Sequence, residues 1–177
     1  MLPGYKYCSF CGSGDTQQPA LGKIACLGCH KITFINPATA AGCFLFDSQG
    51  RIGLAKRAHE PRAGKYDDAG GFCDIGDASC EDTVIREIHE ELGIVLRHEQ
   101  LQYIGSHAMK YPFQGRDTYT MPVLFRATLD DEQVANIVPN DDVASFDRFR
   151  EDEIHDDILC TPRQTAFVRN LFALASG

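Results

Sequence analysis

The stretch from Gly71 to Ile94, GFCDIGDASCEDTVIREIHEELGI, decides how the rest of the chain is read. Its second half, Arg86-Glu87-Ile88-His89-Glu90-Glu91-Leu92-Gly93-Ile94, sets three carboxylates within five residues. At roughly 100° per residue on an α-helix, Glu87, Glu90 and Glu91 share one arc about 100° wide. Val84, Ile85, Ile88 and Leu92 share another, so the spacing predicts a helix packed on one side and acid-lined on the other. Three like charges this close repel one another. A hard divalent cation that prefers oxygen ligands, such as Mg²⁺, resolves the conflict.

Ser79, with Asp82 three residues on, reads as an N-cap with an acidic N3. Together these residues resemble the Nudix hydrolases. The box of that family runs Gly, five residues, Glu, seven residues, then Arg-Glu-apolar-x-Glu-Glu-x-Gly-apolar. Arg86–Ile94 matches every fixed position. Between Gly71 and Arg86 there is one residue more than the pattern has, and the first Glu is missing, with Asp77 or Ala78 near its place. Ser79 lies seven residues before Arg86, where the family usually has its capping Ser or Thr. The insertion is therefore expected in the loop of residues 72–78, with the helix unchanged. Ala69-Gly70-Gly71-Phe72 fits the family's lead-in to the box. The resemblance implies that Glu87, Glu90, Glu91 and the Gly71 carbonyl hold Mg²⁺ or Mn²⁺. It implies too that Arg86 orients Glu90 at i+4, and that one of the glutamates or an outlying acid deprotonates the attacking water.

Away from the box, 177 residues suffice for one α/β core and a small appendage. A hydrophobic share of 44% and a charged share of 24% are those of a soluble globular protein. No apolar run reaches transmembrane length and no signal-peptide pattern opens the chain, so a cytoplasmic protein without membrane contact is expected. The net charge of −8 argues against broad binding to nucleic acid, though a small phosphorylated substrate can still be met through a metal. Cys8-x2-Cys11 and Cys26-x2-Cys29, 14 residues apart, are the spacing of a zinc ribbon. Each CxxC turn, eased by Gly12 and Gly28, offers two thiolates, and two such turns complete a tetrahedral shell. A closed four-thiolate shell leaves no open position, so the Zn²⁺ is expected to be structural, in a ribbon of residues 1–35 too short to fold on a core alone. Cys43 reads as a small core residue; Cys73 and Cys80 lack metal-like spacing.

Phe34-Ile35-Asn36-Pro37 reads as a linker to the second domain, residues 38–175. Ala38–Phe46, a turn at Asp47-Ser48-Gln49-Gly50 and Arg51–Lys56 read as a β-hairpin. The basic loop 56–65 resembles the Arg-rich segment after the first hairpin of zinc-ribbon Nudix proteins. Arg57 or Arg62 there meets substrate phosphate, or these are solvated loop charges, or Arg57 pairs with a structural carboxylate. After the helix, Leu101–Lys110 and Tyr119–Leu129 read as strands around a turn-rich loop, 111–117. Tyr111 and Phe113 in that loop, with Tyr119, either stack on a nucleobase or pack in the protein. Asp141 and Asp142 precede a late strand where several Nudix branches place a further acid of the site. Their other reading is a solvated turn. Thr161, Pro162 and Gln164 open a last helix with an apolar face.

The resemblance thus implies a Nudix α/β/α sandwich with a mixed sheet, preceded by a small zinc ribbon. The implied reaction is hydrolysis of a pyrophosphate bond in a nucleoside diphosphate derivative such as NADH, ADP-ribose or FAD, water attacking phosphorus. A ribbon ahead of the domain resembles the NADH pyrophosphatase branch, but its Ser-Gln-Pro-Trp motif is absent: Gly105–Phe113 stands there and the chain has no Trp. The alternative is a non-catalytic Nudix ligand sensor whose ribbon binds nucleic acid or protein. A small nucleotide is the expected partner, and a homodimer is left open.

Overall fold

The computed structural model describes residues 6–113, 116–160 and 167–172, with the side chains of 113, 116 and 117 outside the description. The expected helix start at Thr161, Pro162 and Gln164, and the Phe113 ring, lie outside the described residues. The chain divides into two compact units, one ending at Pro37 and the other beginning at Ala38.

The first unit is an antiparallel sheet of β1 (Thr16–Ala20), β2 (Lys23–Cys26) and β3 (Ile32–Phe34), in that order. Its apolar interior is small: Ile24, Cys8 and Cys26 are the buried side chains. Two cysteine turns flank the sheet. Gly12 takes φ +72° and its N–H closes on the Cys8 carbonyl at 2.9 Å. In the second turn it is His30, not Gly28, that takes positive φ, at +60°.

In the second unit, β4 (Ala38–Phe46) is the central strand. Around it stand β5 (Ile52–Arg57), β6 (Tyr66–Asp67), β7 (Ala69–Phe72), β8 (Gln102–Ser106), β9 (Met109–Phe113), β10 (Arg116–Thr128) and β11 (Val143–Phe149). The main sheet runs β11-β5-β4-β10-β8. Its β4–β10 pair is parallel and its other pairs are antiparallel, so the sheet is mixed. The β4–β5 turn is fixed by Asp47, whose Oδ1 accepts the Gln49 and Arg51 N–H groups at 3.0 and 2.9 Å.

Helix α1 (Cys80–Leu92) covers one face. The Ser79 hydroxyl caps it by accepting the Asp82 N–H at 3.1 Å, and Gly93 ends it in the left-handed region at φ +71°. Val84, Ile88 and Leu92, spaced by four, are fully buried against Cys43, Leu45 and Phe125. Each contributes about 1.5–3 kcal/mol by leaving water. The opposite face of β4 carries Phe44 and Phe46, which meet Val168, Leu171 and Phe172 of the helical segment 167–172. The unit is therefore an α/β/α sandwich. A short helix, α2 (Asp131–Ala135), is capped by Asp130.

The strand expected over Leu101–Lys110 is in fact two. β8 pairs with the second half of β10, the chain breaks at His107 and Ala108, and β9 pairs with the first half of β10. Tyr111 and Phe113 thus belong to a strand, not to the expected loop. Pro112 hid this strand, yet it is tolerated because β9 pairs on one side only and a missing N–H there breaks no ladder.

Candidate metal-binding active site

The register of β7 on β4 sets the site. Gly70 pairs with Gly42 and Gly71 with Ala41. Gly70 holds φ +146°, and a Cβ on it would strike the Ala41 carbonyl. This close backbone approach leaves the Gly70 N–H directed at α1, where it donates to Glu91 Oε2 at 3.1 Å. A Cβ on Gly71 would collide with the Glu87 carboxylate. Only a bare backbone leaves room beside that acid.

The three glutamates have different surroundings. Glu91 is 9% exposed; burial pushes its carboxyl up to about 8, opposed by the Gly70 N–H and reinforced by the negative charges of Glu87, Asp142 and Asp141. Glu87 is half-buried and is also pushed up, by burial first, with Arg86 opposing. Glu90 is exposed. Their oxygens do not converge into one shell: among the described residues, the only group of three or more His, Cys, Asp or Glu side chains close enough to share an ion is the four cysteines.

Arg86 accounts for that spread. It donates to Glu87 Oε1 at 2.9 Å, to Glu90 Oε2 at 3.1 Å and to the Phe72 carbonyl at 3.2 Å. It also grips Asp77 with two bonds, of 3.2 Å to Oδ1 and 3.0 Å to Oδ2. Asp77 was not among the expected site residues. Arg86, the Asp74 N–H and the Thr83 hydroxyl hold its carboxyl well below the usual range. Asp77 therefore gives Arg86 a carboxylate from the position where the box has its first Glu. Its side chain is one methylene shorter, and the loop is one residue longer. The signal was legible as an acid six residues after Gly71, the box spacing.

Replacing Asp77 by Ala is expected to lower the thermal midpoint at neutral pH. The folded-state pKa of Asp77 is depressed, so its contribution is full above the ordinary value of 3.8 and fades as pH falls below it. The gap between wild type and variant should narrow in that acid range. A gap that stays constant down to pH 2.5 would show that the Asp77–Arg86 pair does not contribute.

A cleft of about 1230 Å³ opens over the site, lined by Gly70, Gly71, Glu91, Arg57, Arg62 and Asp142 among others. Tyr111 lines it too, its ring edge-on to Phe72 at 6.2 Å between centroids. Arg57 gives its Nε to the Pro61 carbonyl at 2.8 Å and has NH1 4.0 Å from Asp67 Oδ2. It is thus tied to a carboxylate while facing the cleft. Arg62 sits at φ +68° with its N–H on Glu60. The loop of Asp141 and Asp142 is fixed to α1 by the Asn140 N–H on the Glu91 carbonyl, at 2.8 Å. Glu87, Glu90 and Asp141 are not in the cleft wall. Asp68, unforeseen in the sequence, is: its carboxylate lies where a Cβ on Gly42 would go, and burial followed by Asp67 raises it well above the usual range.

In the first unit, the four Sγ atoms of Cys8, Cys11, Cys26 and Cys29 all lie within 4.8 Å of one another. Cys8–Cys29 and Cys11–Cys26 are each 3.7 Å apart. A tetrahedron with metal–sulfur bonds of about 2.3 Å has edges of about 3.8 Å, so the spacing fits zinc. The Phe10 and Cys29 N–H groups point at Cys8 and Cys26 sulfurs, both at 3.4 Å, as suits thiolates.

The NUDIX domain model matches residues 36–171. The chain belongs to the NUDIX domain family. The NUDIX hydrolase of Nitrosomonas europaea has the same fold, with a TM-score of 0.68 at 22% identity over 95% of this chain and 90% of that one. Among curated relatives, the NAD-capped RNA hydrolase NudC of Pseudomonas fluorescens is 30% identical over 108 residues, 61% of this chain and 37% of NudC. The mitochondrial NAD(P)H pyrophosphatase NUDT13 of Mus musculus is 33% identical over 109 residues, 62% of this chain and 30% of that protein. The chain thus matches about a third of the length of these relatives. Among the described residues of this NUDIX protein, no helix is long and apolar enough to cross a membrane.

Proposed function

We propose that the chain hydrolyses the pyrophosphate bond of a nucleoside diphosphate derivative, of the class that includes NADH, ADP-ribose and FAD. The observation that carries this reading is the face of α1. Glu87 stands beside the bare backbone of Gly71 and is tied to Glu90 by Arg86, while Glu91, held by the Gly70 N–H, opens into the cleft. The donor set is all oxygen and suits Mg²⁺ or Mn²⁺ held by Glu87, Glu90, Glu91 and the Gly71 carbonyl. Such an ion neutralises phosphate charge and makes water a stronger acid. Glu91 and Asp142 are carboxylates in the cleft wall and can take the proton of the attacking water. Arg57 and Arg62 reach the same cleft and can meet the phosphates; Tyr111 offers a ring to the base. Zn²⁺ is proposed at Cys8, Cys11, Cys26 and Cys29, in a structural role.

The names of NudC and NUDT13 support a nicotinamide dinucleotide over a nucleoside triphosphate. A panel of NADH, NAD⁺, ADP-ribose, FAD, dinucleoside polyphosphates and nucleoside triphosphates, with Mg²⁺ or Mn²⁺ and product identification, tests the reading. Release of two nucleoside monophosphates from NADH, or of AMP from ADP-ribose, is expected. Cleavage of none of them would overturn the proposal in favour of a ligand sensor.

A further inference from the structure

The cleft reaches past Glu91 to the face of the sheet opposite α1. There β4 and β10 run parallel, with Gly42 beside Leu124 and Ala40 beside Pro122, and these four residues line the cleft together with Phe44. Phe167 adds a second ring, 5.6 Å from that of Phe44 between centroids. Two polar side chains interrupt this apolar chamber. Thr120 is 4% exposed, and its hydroxyl makes no hydrogen bond among the described residues. Asp68 is the other. Its Oδ2 fills the place that a Cβ on Gly42 would take, so a glycine in the middle of the central strand is what seats this carboxyl on the chamber floor. Asp68 has no ion pair among the described residues, and the neighbouring Arg57 faces Asp67 instead, at 4.0 Å. Nor does it belong to any group of side chains close enough to share an ion, among the described residues. Neither the packing of the sheet nor the glutamate face accounts for an acid at this place.

We propose that this chamber holds the nucleobase and that Asp68 is a specificity-determining residue that selects adenine. The subsite rests on the proposed hydrolysis of a nucleoside diphosphate derivative and names its nucleoside. The chamber offers apolar side chains to the faces of a base and, at Asp68, polar atoms to its edge. Burial, then the negative charge of Asp67, keeps the proton on the Asp68 carboxyl. A protonated carboxyl sets one donor beside one acceptor. Adenine does the same, with a ring nitrogen that accepts beside an N6 amine that donates, so the two edges match. Guanine sets two acceptors side by side on one edge, O6 and N7, and two donors on another, N1–H and the N2 amine. Against either edge a protonated acid leaves one polar group unpaired in a chamber with little else to satisfy it. The Thr120 hydroxyl, which can donate or accept, provides a further bond in the same chamber.

Calorimetric titration of the full chain with AMP and with GMP, in Mg²⁺, tests this. Neither nucleotide contains a pyrophosphate bond, so binding is read without turnover. AMP should bind the wild type about tenfold more tightly than GMP. Asp68→Asn should keep that preference, because the amide also sets a donor beside an acceptor. Asp68→Ala should lose it, with AMP falling to the affinity of GMP. A wild type that does not bind AMP, or binds GMP as tightly, would overturn the proposal. So would loss of the preference in Asp68→Asn or its persistence in Asp68→Ala. Thermal melts show whether the variants fold. Where Asp68→Ala does not, Asp68→Leu, of similar shape and without polar atoms, takes its place with the same expectation. An adenine preference that depends on residue 68, in a chain that cleaves nothing in the substrate panel, would leave the subsite standing and remove the hydrolase. Cleavage of ADP-ribose without any preference for AMP would do the reverse.

Discussion

Glu91→Gln is expected to slow Mg²⁺-dependent pyrophosphate hydrolysis about 10³-fold and to leave the fold intact. The loss follows from position. Glu91 is the one box glutamate in the cleft wall, and the amide that replaces it can neither carry the charge an ion needs nor take a proton from water. The retention of the fold follows from isostery. The Gln oxygen can still accept the Gly70 N–H that Glu91 Oε2 accepts at 3.1 Å. Steady-state rates on the best substrate of the panel, beside thermal melts of both proteins, check the two halves. A variant that keeps more than a tenth of the wild-type rate would remove Glu91 from the machinery.

The same substitution has a pH signature in the metal-free protein. The folded-state pKa of Glu91, near 8, lies above the ordinary 4.5, so the folded state holds its proton more tightly than the unfolded state does. Stability then falls as pH rises between these two values, by roughly 4 kcal/mol for this site. Glu87 shifts in the same direction and adds to the fall. Glu91→Gln should flatten the melting temperature over pH 5–8, and saturating Mg²⁺ should flatten it in the wild type, because a cation at the site offsets the repulsion among Glu87, Glu91, Asp141 and Asp142. If the metal-free wild type melts at one temperature across this range, the burial of Glu91 is not felt as a charge penalty.

The helix was legible because its signals are local. Ser79 and Gly93 mark its ends, and Val84, Ile88 and Leu92 repeat at the helical period. The central strand was legible as a continuous apolar run, which a sheet covered on both faces demands. What stayed hidden depends on side chains meeting across the chain. Helical spacing puts Glu87, Glu90 and Glu91 on one arc, but it cannot show that Arg86 draws two of them to itself while Gly70 takes the third. Nor can it show that Asp77, through the inserted residue, reaches Arg86. Asp68 gave no periodic signal; its environment comes from β7 lying against Gly42, a non-local pairing. Strand β9 was masked by Pro112, whose cost depends on whether its strand is an edge.

Cys26→Ser is expected to abolish zinc binding and to unfold residues 6–37 as a unit, with the second unit still folded. Cys26 is 3% exposed, stands 3.7 Å from Cys11 and accepts the Cys29 N–H, so its loss opens one vertex of the tetrahedron from within. The small sheet has little else to hold it. Its apolar side chains are mostly outside: Phe10, Leu21 and Phe34 are 57%, 76% and 66% exposed. A structural zinc site contributes on the order of 10 kcal/mol of folding free energy, more than a sheet with this interior can supply by burial. The second unit has its own two buried clusters and needs none of that energy. Metal analysis should find about one zinc per wild-type chain and none in the variant. Amide exchange should become fast throughout β1–β3 and stay slow in β4, β10 and α1. Protection retained in β1–β3 of a zinc-free variant would mean that the sheet folds without its metal. Loss of protection in α1 as well would mean that the two units unfold together.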